Sequence, residues 1–334
     1  MSYYSGSYDS FPLFSWWGKG GAALSLIIFV VLTLLCAGGA MPDNSPLSGH
    51  GLCFPSPDCW IKSSLVSLWV NISLIVIAGI SSIFFSRHYN FFPSGNMFYA
   101  VSLFLMCDAT PLIGIGLNSG VVFLLVSVIC LYRIFWLYGR KNKAQGVFLI
   151  FSLLSIGSMI QYGFILLMPV VLLGIVFMDS MRIREVIAML LGIIAPYWIL
   201  IAIGVVHVHD LQYPALTNLF HGGEPPLELF QLVLTVGITG LLFLFALTVN
   251  SMHAASDGVM QRARRSTVHL LGFSLLWFMV FDFTNMLTYL PAFYLCTGFE
   301  CTLWGMRLRG PQRLYLAISV FVIYISLPLV FLCV

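Results

Sequence analysis

A chain of 334 residues that is 60% hydrophobic and only 8% charged cannot cover the surface of a water-soluble globule, in which about 25% of residues are charged. The formal charge of +3 is spread without a long basic tract, so no nucleic-acid partner is expected. The apolar runs are continuous, which excludes a membrane β-barrel with its alternating strands. The composition predicts an all-α, polytopic transmembrane helical bundle with the lipid bilayer as its first partner.

Apolar runs of about 20 residues, the length of a helix that crosses a bilayer, recur along the whole chain. They predict ten or eleven spans, and 146–160 and 288–304 are the two with the weakest span signal. The predicted spans are 21–41, 63–86, 97–115, 119–138, 146–160, 162–178, 186–206, 227–249, 267–287, 288–304 and 314–334. Residues 1–20 are predicted to be a cytoplasmic or interfacial leader, and 21–334 a single integral membrane domain.

Basic residues fall on alternate connections between these spans. If the N-terminus is cytoplasmic, Lys62 is the only outer residue of the 15 lysines and arginines. This asymmetry predicts that the N-terminus lies on the cytoplasmic side of the membrane. The inner connections carry a basic rim whose role is either topology and anionic lipid or a site for phosphate head groups. The rim residues singled out are Arg140, Lys141, Arg182, Arg184, Arg264 and Arg265.

The longest outer connections carry the remaining polar chemistry. His209 and Asp210 stand in HVHDLQYPALTNLFHGGEPPLE, residues 207–228, which is either a plain polar loop, an acid–base or phosphate-binding segment, or a metal site. Zinc needs three or four converging ligands, which the spacing alone does not show, so neither a metal nor a cofactor is predicted. In GLCFPSPDCW, Cys53 and Cys59 form either a disulfide or two free thiols.

Two carboxylates stand inside predicted spans, where ionisable groups are costly and mark candidate functional sites. Asp108 precedes a helix break at Pro111, and Asp282 lies late in the span 267–287. With Asn118 and Asn285 at comparable depth, they predict an outward-opening cavity that binds an ion or a sugar hydroxyl. Alternatively, each Asp pairs with a neighbouring polar side chain and fixes helix packing.

Several stretches resemble an uncharacterised multi-pass inner-membrane protein family of Bacteroidetes. They are RHYNFF after the second span, ATP at 109–111, GIIAPYW at 192–198, and Asp257 followed by Arg262, Arg264 and Arg265. The resemblance covers roughly residues 80–300. It implies a bacterial cytoplasmic membrane and carries no catalytic residues with it.

Three functions from different classes fit these observations. The first is a component of cell-envelope glycan assembly that handles a polyprenyl-phosphate-linked sugar, with Asp108, His209 and Asp210 as catalytic residues. The second is a secondary transporter that uses the intramembrane carboxylates. The third is a non-catalytic subunit whose helices pack against another membrane protein.

Overall fold

The computed structural model describes residues 20–39, 51–92, 96–140, 143–178, 182–206, 227–253, 258–308 and 311–333. Within these ranges the chain forms twelve α-helices and no strand, so the predicted all-helical bundle is confirmed. In chain order they are α1 Gly21–Gly39, α2 Ser64–His88, α3 Asn96–Asp108, α4 Pro111–Gly114, α5 Ser119–Leu137, α6 Ala144–Ile160, α7 Gly163–Met178, α8 Ile183–Ile203, α9 Leu227–Met252, α10 Val259–Phe281, α11 Met286–Arg307 and α12 Pro311–Cys333.

Each of the eleven predicted spans corresponds to a helix, including α6 and α11, the two with the weakest span signal. Of the described helices, α2, α5, α8 and the part of α9 from Leu232 to Met252 are long and apolar enough to cross a membrane by length and composition. Five others are apolar but shorter. The chain is therefore suited to insertion in a membrane.

Helix α11 is the centre of the bundle. It packs against α3, α5, α9, α10 and α12, and nearly all of its side chains are buried. Tyr289 and Tyr294 are among the largest fully buried side chains of the described residues. A helix with neighbours on every side can carry polar groups around its circumference only if those neighbours supply hydrogen-bond partners.

The connections between antiparallel helices define two ends of the bundle. The Asp282 end contains the segments 51–63, 109–118, 161–162 and 282–285, and the basic end contains the segments near Arg87, Arg140, Arg182 and Arg264. Backbone contacts tie the Asp282 end together, since Leu52 and Cys53 donate to the carbonyls of Ser158 (3.3 Å) and Met159 (3.2 Å). Acidic and basic groups are separated only in part within the described residues, because Asp282 lies at one end but Glu185, in the first turn of α8, lies at the basic end.

The predicted break at Pro111 is confirmed. Helix α3 ends at Asp108 and the short α4 begins at Pro111. Carbonyls freed by such a break need partners at membrane depth. Asn71 on α2 supplies them, because its amide donates to Ile113 O (2.7 Å) and Gly114 O (3.1 Å). Ser67, one turn earlier, accepts from the Leu117 N–H (2.8 Å).

Helices α6 and α8 form the most extensive pairwise contact. Gly192 allows it, because a Cβ there would lie 2.7 Å from Phe148 O. Ser155 donates to Ile193 O (2.7 Å), and the hydroxyls of Ser158 and Tyr197 lie 2.6 Å apart. The stretch GIIAPYW is therefore a helix-packing segment, in keeping with the small and hydroxylated residues that join membrane helices.

Candidate functional site

Asp282 lies at the boundary of two helices and not, as predicted, inside a span. Helix α10 ends at Phe281, and a 3-10 turn, Phe283–Asn285, leads into α11. The carboxylate is fully buried and accepts three hydrogen bonds. Oδ1 accepts from Tyr162 Oη (2.7 Å) and Asn285 Nδ2 (2.8 Å), and Oδ2 accepts from Tyr289 Oη (2.6 Å).

A second layer of polar side chains continues from this carboxylate. Gln161 Nε2 donates to Asn285 Oδ1 (3.1 Å) and to Thr288 Oγ1 (3.2 Å), while the hydroxyls of Thr288 and Ser119 lie 2.8 Å apart. Asn285 also donates to the Tyr162 hydroxyl. These residues, here called the Asp282 cluster, join the ends of α5, α6, α10 and α11, which fits the packing alternative better than an open cavity.

Asn118 likewise has a structural role. Its Oδ1 accepts from the Val121 N–H (3.0 Å) and caps α5, and its Nδ2 donates to Ile113 O (2.9 Å). Both ends of the amide are therefore engaged by backbone. A cation-binding role, as predicted for Asn118, would require these contacts to break.

Asp108 has the opposite environment. It is the last residue of α3, its side chain is 4% exposed, and neither carboxylate oxygen has a hydrogen-bond partner among the described residues. The thiols of Cys36 on α1 and of Cys107 lie near it. Two residues later, the hydroxyls of Thr110 and Tyr294 lie 2.6 Å apart and join the break to α11.

An ionised carboxylate that is buried without a partner is several kcal/mol less stable than one in water. Within the described structure, Asp108 is therefore more stable with a proton or a bound cation than as a free carboxylate. It shares no hydrogen-bond partner with Asp282, and the two carboxylates form separate sites within the described structure.

A third buried carboxylate was missed by the sequence analysis. Glu300 on α11 is fully buried, and its Oε1 lies 2.9 Å from Nε2 of His269 on α10. Asn250 on α9 donates to Glu300 Oε2 (2.8 Å) and to the Glu300 carbonyl (2.9 Å). Glu300 and His269 fall inside the predicted spans 288–304 and 267–287, so the criterion that selected Asp108 could also have selected them.

The predicted basic rim is only partly at the surface. Arg140, Arg182 and Arg184 are exposed, and the guanidinium of Arg140 stacks 4.7 Å from the Trp136 ring centroid. Arg264 and Arg265 are buried at 7% exposure each, so the prediction that they bind head groups is not supported.

Arg264 is held inside the protein by an aromatic cluster. Its guanidinium lies 4.6 Å from the ring centroid of Tyr89, and its Nη1 donates to Tyr89 O (3.3 Å). Phe91 in turn packs edge-on against Phe299 of α11. The stretch RHYNFF therefore joins the end of α2 to the central helix.

Of the two alternatives for Cys53 and Cys59, the structure has the free thiols and no disulfide between them. The Cys53 backbone is fixed against Met159, and Cys59 ends a separate 3-10 turn, Pro57–Cys59, where it is exposed. Burial raises the pKa of the Cys53 thiol, which lowers the thiolate fraction that disulfide exchange requires.

An apolar groove of about 770 Å³ opens beside this loop. The loop contributes Phe54, Pro55 and Trp60, and helices α6 and α8 contribute Ile156, Pro196 and Ile199 among others. The groove reaches Met159 and Ile160, which directly precede Gln161 and Tyr162 of the Asp282 cluster.

The remaining predicted site residues, Lys141, His209 and Asp210, lie outside the described residues. Comparison of the chain with protein-family models, with curated proteins and with solved structures finds no match. The chemistry of the site therefore has to be derived from its own residues.

Proposed function

We propose that the protein is a secondary transporter of the bacterial cytoplasmic membrane in which Asp108 binds a proton or a small monovalent cation. The observation that carries the proposal is the buried, unpartnered carboxylate at the break between α3 and α4. Transporters bind coupling ions at interrupted helices, where backbone carbonyls and acidic side chains replace the hydration shell. The cytoplasmic N-terminus is part of the proposal and rests on the distribution of basic residues.

Polar groups along α11 support this function. From the Asp282 cluster, the helix carries Tyr294 in contact with Thr110, then Glu300 in contact with His269. Tyr289, Tyr294 and Glu300 thus place three titratable side chains along one buried helix.

Cation binding to Asp108 can be measured before any transported solute is known. Na⁺, Li⁺ and K⁺ chlorides are titrated separately into purified protein in choline buffer, and the unfolding temperature is followed. A cation that binds the native state stabilises it by mass action, by about 2.7 kcal/mol at a hundredfold excess over Kd. Infrared spectroscopy tests the proton alternative through a protonated-carboxyl band that Asp108→Asn removes.

The matched control is Asp58→Asn, which makes the same change in the loop at the Asp282 end, where Asp58 accepts from Ser56 (2.6 Å). We expect Asp58→Asn to retain the cation response or the carboxyl band, and Asp108→Asn to lose it. If wild-type protein shows neither response, or Asp108→Asn retains it, Asp108 is not the coupling site.

Transport itself is tested with pyranine-loaded proteoliposomes under an imposed membrane potential. Separate pools of amino acids, sugars and nucleosides are added outside, and proton influx is recorded together with ²²Na⁺ uptake. We expect one pool to accelerate ion entry with wild-type protein and not with Asp108→Asn. If ion entry into proteoliposomes equals that into protein-free liposomes for every pool, the protein is not a transporter of these solutes.

The apolar groove favours a second candidate, a component of envelope-glycan assembly that handles a polyprenyl-phosphate-linked sugar. The groove would hold part of the isoprenoid chain, and its lining is almost entirely apolar. His209 and Asp210 follow α8 closely in sequence and would act on the phosphate or the sugar as acid and base.

A steric test separates this candidate from transport. Ile199→Trp fills the groove, whereas Ile187→Trp places the same side chain at an exposed position of α8 outside the residues that line it. We expect loss of surface glycan with Ile199→Trp, His209→Ala or Asp210→Asn, and normal glycan with Ile187→Trp. Normal glycan in all four variants excludes the second candidate.

A further inference from the structure

The apolar groove beside the loop that carries Trp60 has a wall that is fixed before any ligand binds. The Phe54 N–H donates to Met159 O at the end of α6 (2.9 Å). The indole N–H of Trp60 donates to Pro55 O (3.0 Å) and orients the ring. A largely preformed and mostly apolar pocket of this kind is typical of sites for apolar ligands.

The floor of the groove is the seam between α6 and α8. On α6 it is formed by one face of the helix, at Phe148, Ser152, Ile156, Met159 and Ile160. A helix rises about 1.5 Å per residue, so this face is about 18 Å long. The hydrocarbon of one leaflet is about 15 Å thick, because that of the whole bilayer is about 30 Å thick. The groove therefore has about the length of the hydrocarbon in one leaflet, and it begins at the Asp282 end.

The groove is open on the side where α8 is exposed. Ile156 and Ile199, on its two helical walls, are 51% and 54% exposed. Among the four candidate spans that the structure describes, α8 has the smallest buried share, at 11%, so most of its apolar surface faces lipid. The groove offers water almost no polar partner, and an empty groove would lose the dispersion contacts of its walls. Hydrocarbon from the bilayer is therefore the occupant that its chemistry favours.

We propose that the groove binds one acyl chain of a phospholipid from the leaflet at the Asp282 end. The chain lies along the groove face of α6, with its methyl end near Phe148 and its glycerol near Trp60. Tryptophan is a residue that membrane proteins place at the level of the head groups. An acyl chain anchored there needs the length of one leaflet, which is the length that the groove supplies. The site requires no ion at Asp108, and its occupant would exclude the isoprenoid chain of the second candidate function.

The test is competitive lipid binding to full-length protein, followed by native mass spectrometry. Purified protein is incubated in detergent with equal amounts of phosphatidylglycerol and undecaprenyl phosphate. Free lipid is then removed by exchange into fresh detergent, and the mass of each bound lipid is measured. We expect wild-type protein to retain one phosphatidylglycerol. Ile156→Trp fills the groove, so the affinity for the lipid should fall by about tenfold, a change of about 1.4 kcal/mol.

The matched control is Ile77→Trp, which makes the same change on α2 at a position that is 50% exposed and outside the groove. It should retain phosphatidylglycerol as wild-type protein does. Trp60→Ala removes one wall without adding volume and should also weaken lipid binding, which tests the site separately from the packing of α6. The proposal is overturned if wild-type protein retains no lipid or retains undecaprenyl phosphate instead, or if Ile156→Trp and Ile77→Trp retain equal amounts. None of these measurements involves ion binding or flux, so a failure here is separate from a failure of transport.

Discussion

At the scale of single residues, the bundle buries two aspartates in opposite ways. Asp282 accepts hydrogen bonds from Tyr162, Asn285 and Tyr289, so its charge is stabilised by three donors. Asp108 has none among the described residues. The same residue type therefore serves helix packing at one position and is left available for a proton or cation at the other.

This difference predicts opposite responses to the same substitution. Asp282→Asn turns one acceptor atom into a donor that faces a hydroxyl or an amide, and we expect a loss of about 1.5–3 kcal/mol. Asp108→Asn replaces a partnerless group by a neutral one, and we expect equal or higher stability in buffer without sodium. Thermal unfolding in detergent measures both.

Tyr289→Phe supplies the control for this prediction. In a double-mutant cycle, Asp282→Asn and Tyr289→Phe should be less destabilising together than the sum of the two, since they remove one shared hydrogen bond. If the effects of Asp282→Asn and Tyr289→Phe simply add, Asp282 does not depend on the Tyr289 hydrogen bond. If Asp108→Asn destabilises the protein as much as Asp282→Asn, Asp108 also has a packing role.

A buried acid can be recognised in the sequence only when it stands inside an apolar run that predicts a membrane-spanning helix. Asp108 could be predicted as a candidate because it stands beside Pro111 in an apolar run. For Asp282 the packing alternative is the one that the structure supports, but its partners could not be predicted, because Tyr162 reaches it from 120 positions away in sequence. Arg264 was assigned to the surface by its charge, whereas Tyr89, 175 positions away, covers it.

At the scale of helices, close approach to α11 depends on small residues. A Cβ at Gly120 of α5 would collide with the carbonyl oxygen of Leu287, and it would lie 3.1 Å from Pro291 Cγ. A backbone atom cannot move aside as the end of a side chain can. Gly120 therefore sets the separation of α5 and α11 beside the Asp282 cluster.

Gly120→Ala should accordingly destabilise the bundle by about 1–3 kcal/mol through overpacking. Gly237→Ala is the matched control, because a Cβ at this helical position meets nothing within 4 Å and alanine favours the helix. A lower unfolding temperature for Gly120→Ala alone supports the prediction. Equal temperatures for the two variants would mean that α5 shifts without cost.

The positions of the helices could be predicted from hydrophobic runs, whereas some ends could not. The span predicted at 267–287 ends at Phe281 in the structure, because the chain turns there to bring Asp282 against Tyr162. Helix α10 also begins at Val259, eight residues before the predicted span. A hydrophobic run predicts which residues lie in an apolar environment. It does not predict the residue at which tertiary contacts end a helix.

At the scale of the whole molecule, the two ends differ in chemistry. The Asp282 end has a buried carboxylate cluster and an apolar groove, and the basic end has exposed Arg140, Arg182 and Arg184. A charge difference of this kind orients a helical membrane protein with its basic end in the cytoplasm.

The orientation is tested by labelling spheroplasts with a membrane-impermeant maleimide. Lys62→Cys and Arg140→Cys are made in a background in which Cys53 and Cys59 are serine, since Lys62, Arg140 and Cys59 are all exposed. We expect Lys62→Cys to react in intact spheroplasts and Arg140→Cys only after lysis. The reverse pattern would invert the proposed topology.

The enclosure of α11 by its neighbours also has a consequence for biosynthesis. Neither α10 nor α11 is among the described helices that qualify as spans by length and hydropathy, and α11 carries Glu300 in its interior. A translocon releases such segments to lipid poorly, at a cost of about 2.5–3.5 kcal/mol for a central charge. We therefore expect the nascent chain to retain α10 and α11 beside the translocon until α3, α5 and α9 are in place to receive them.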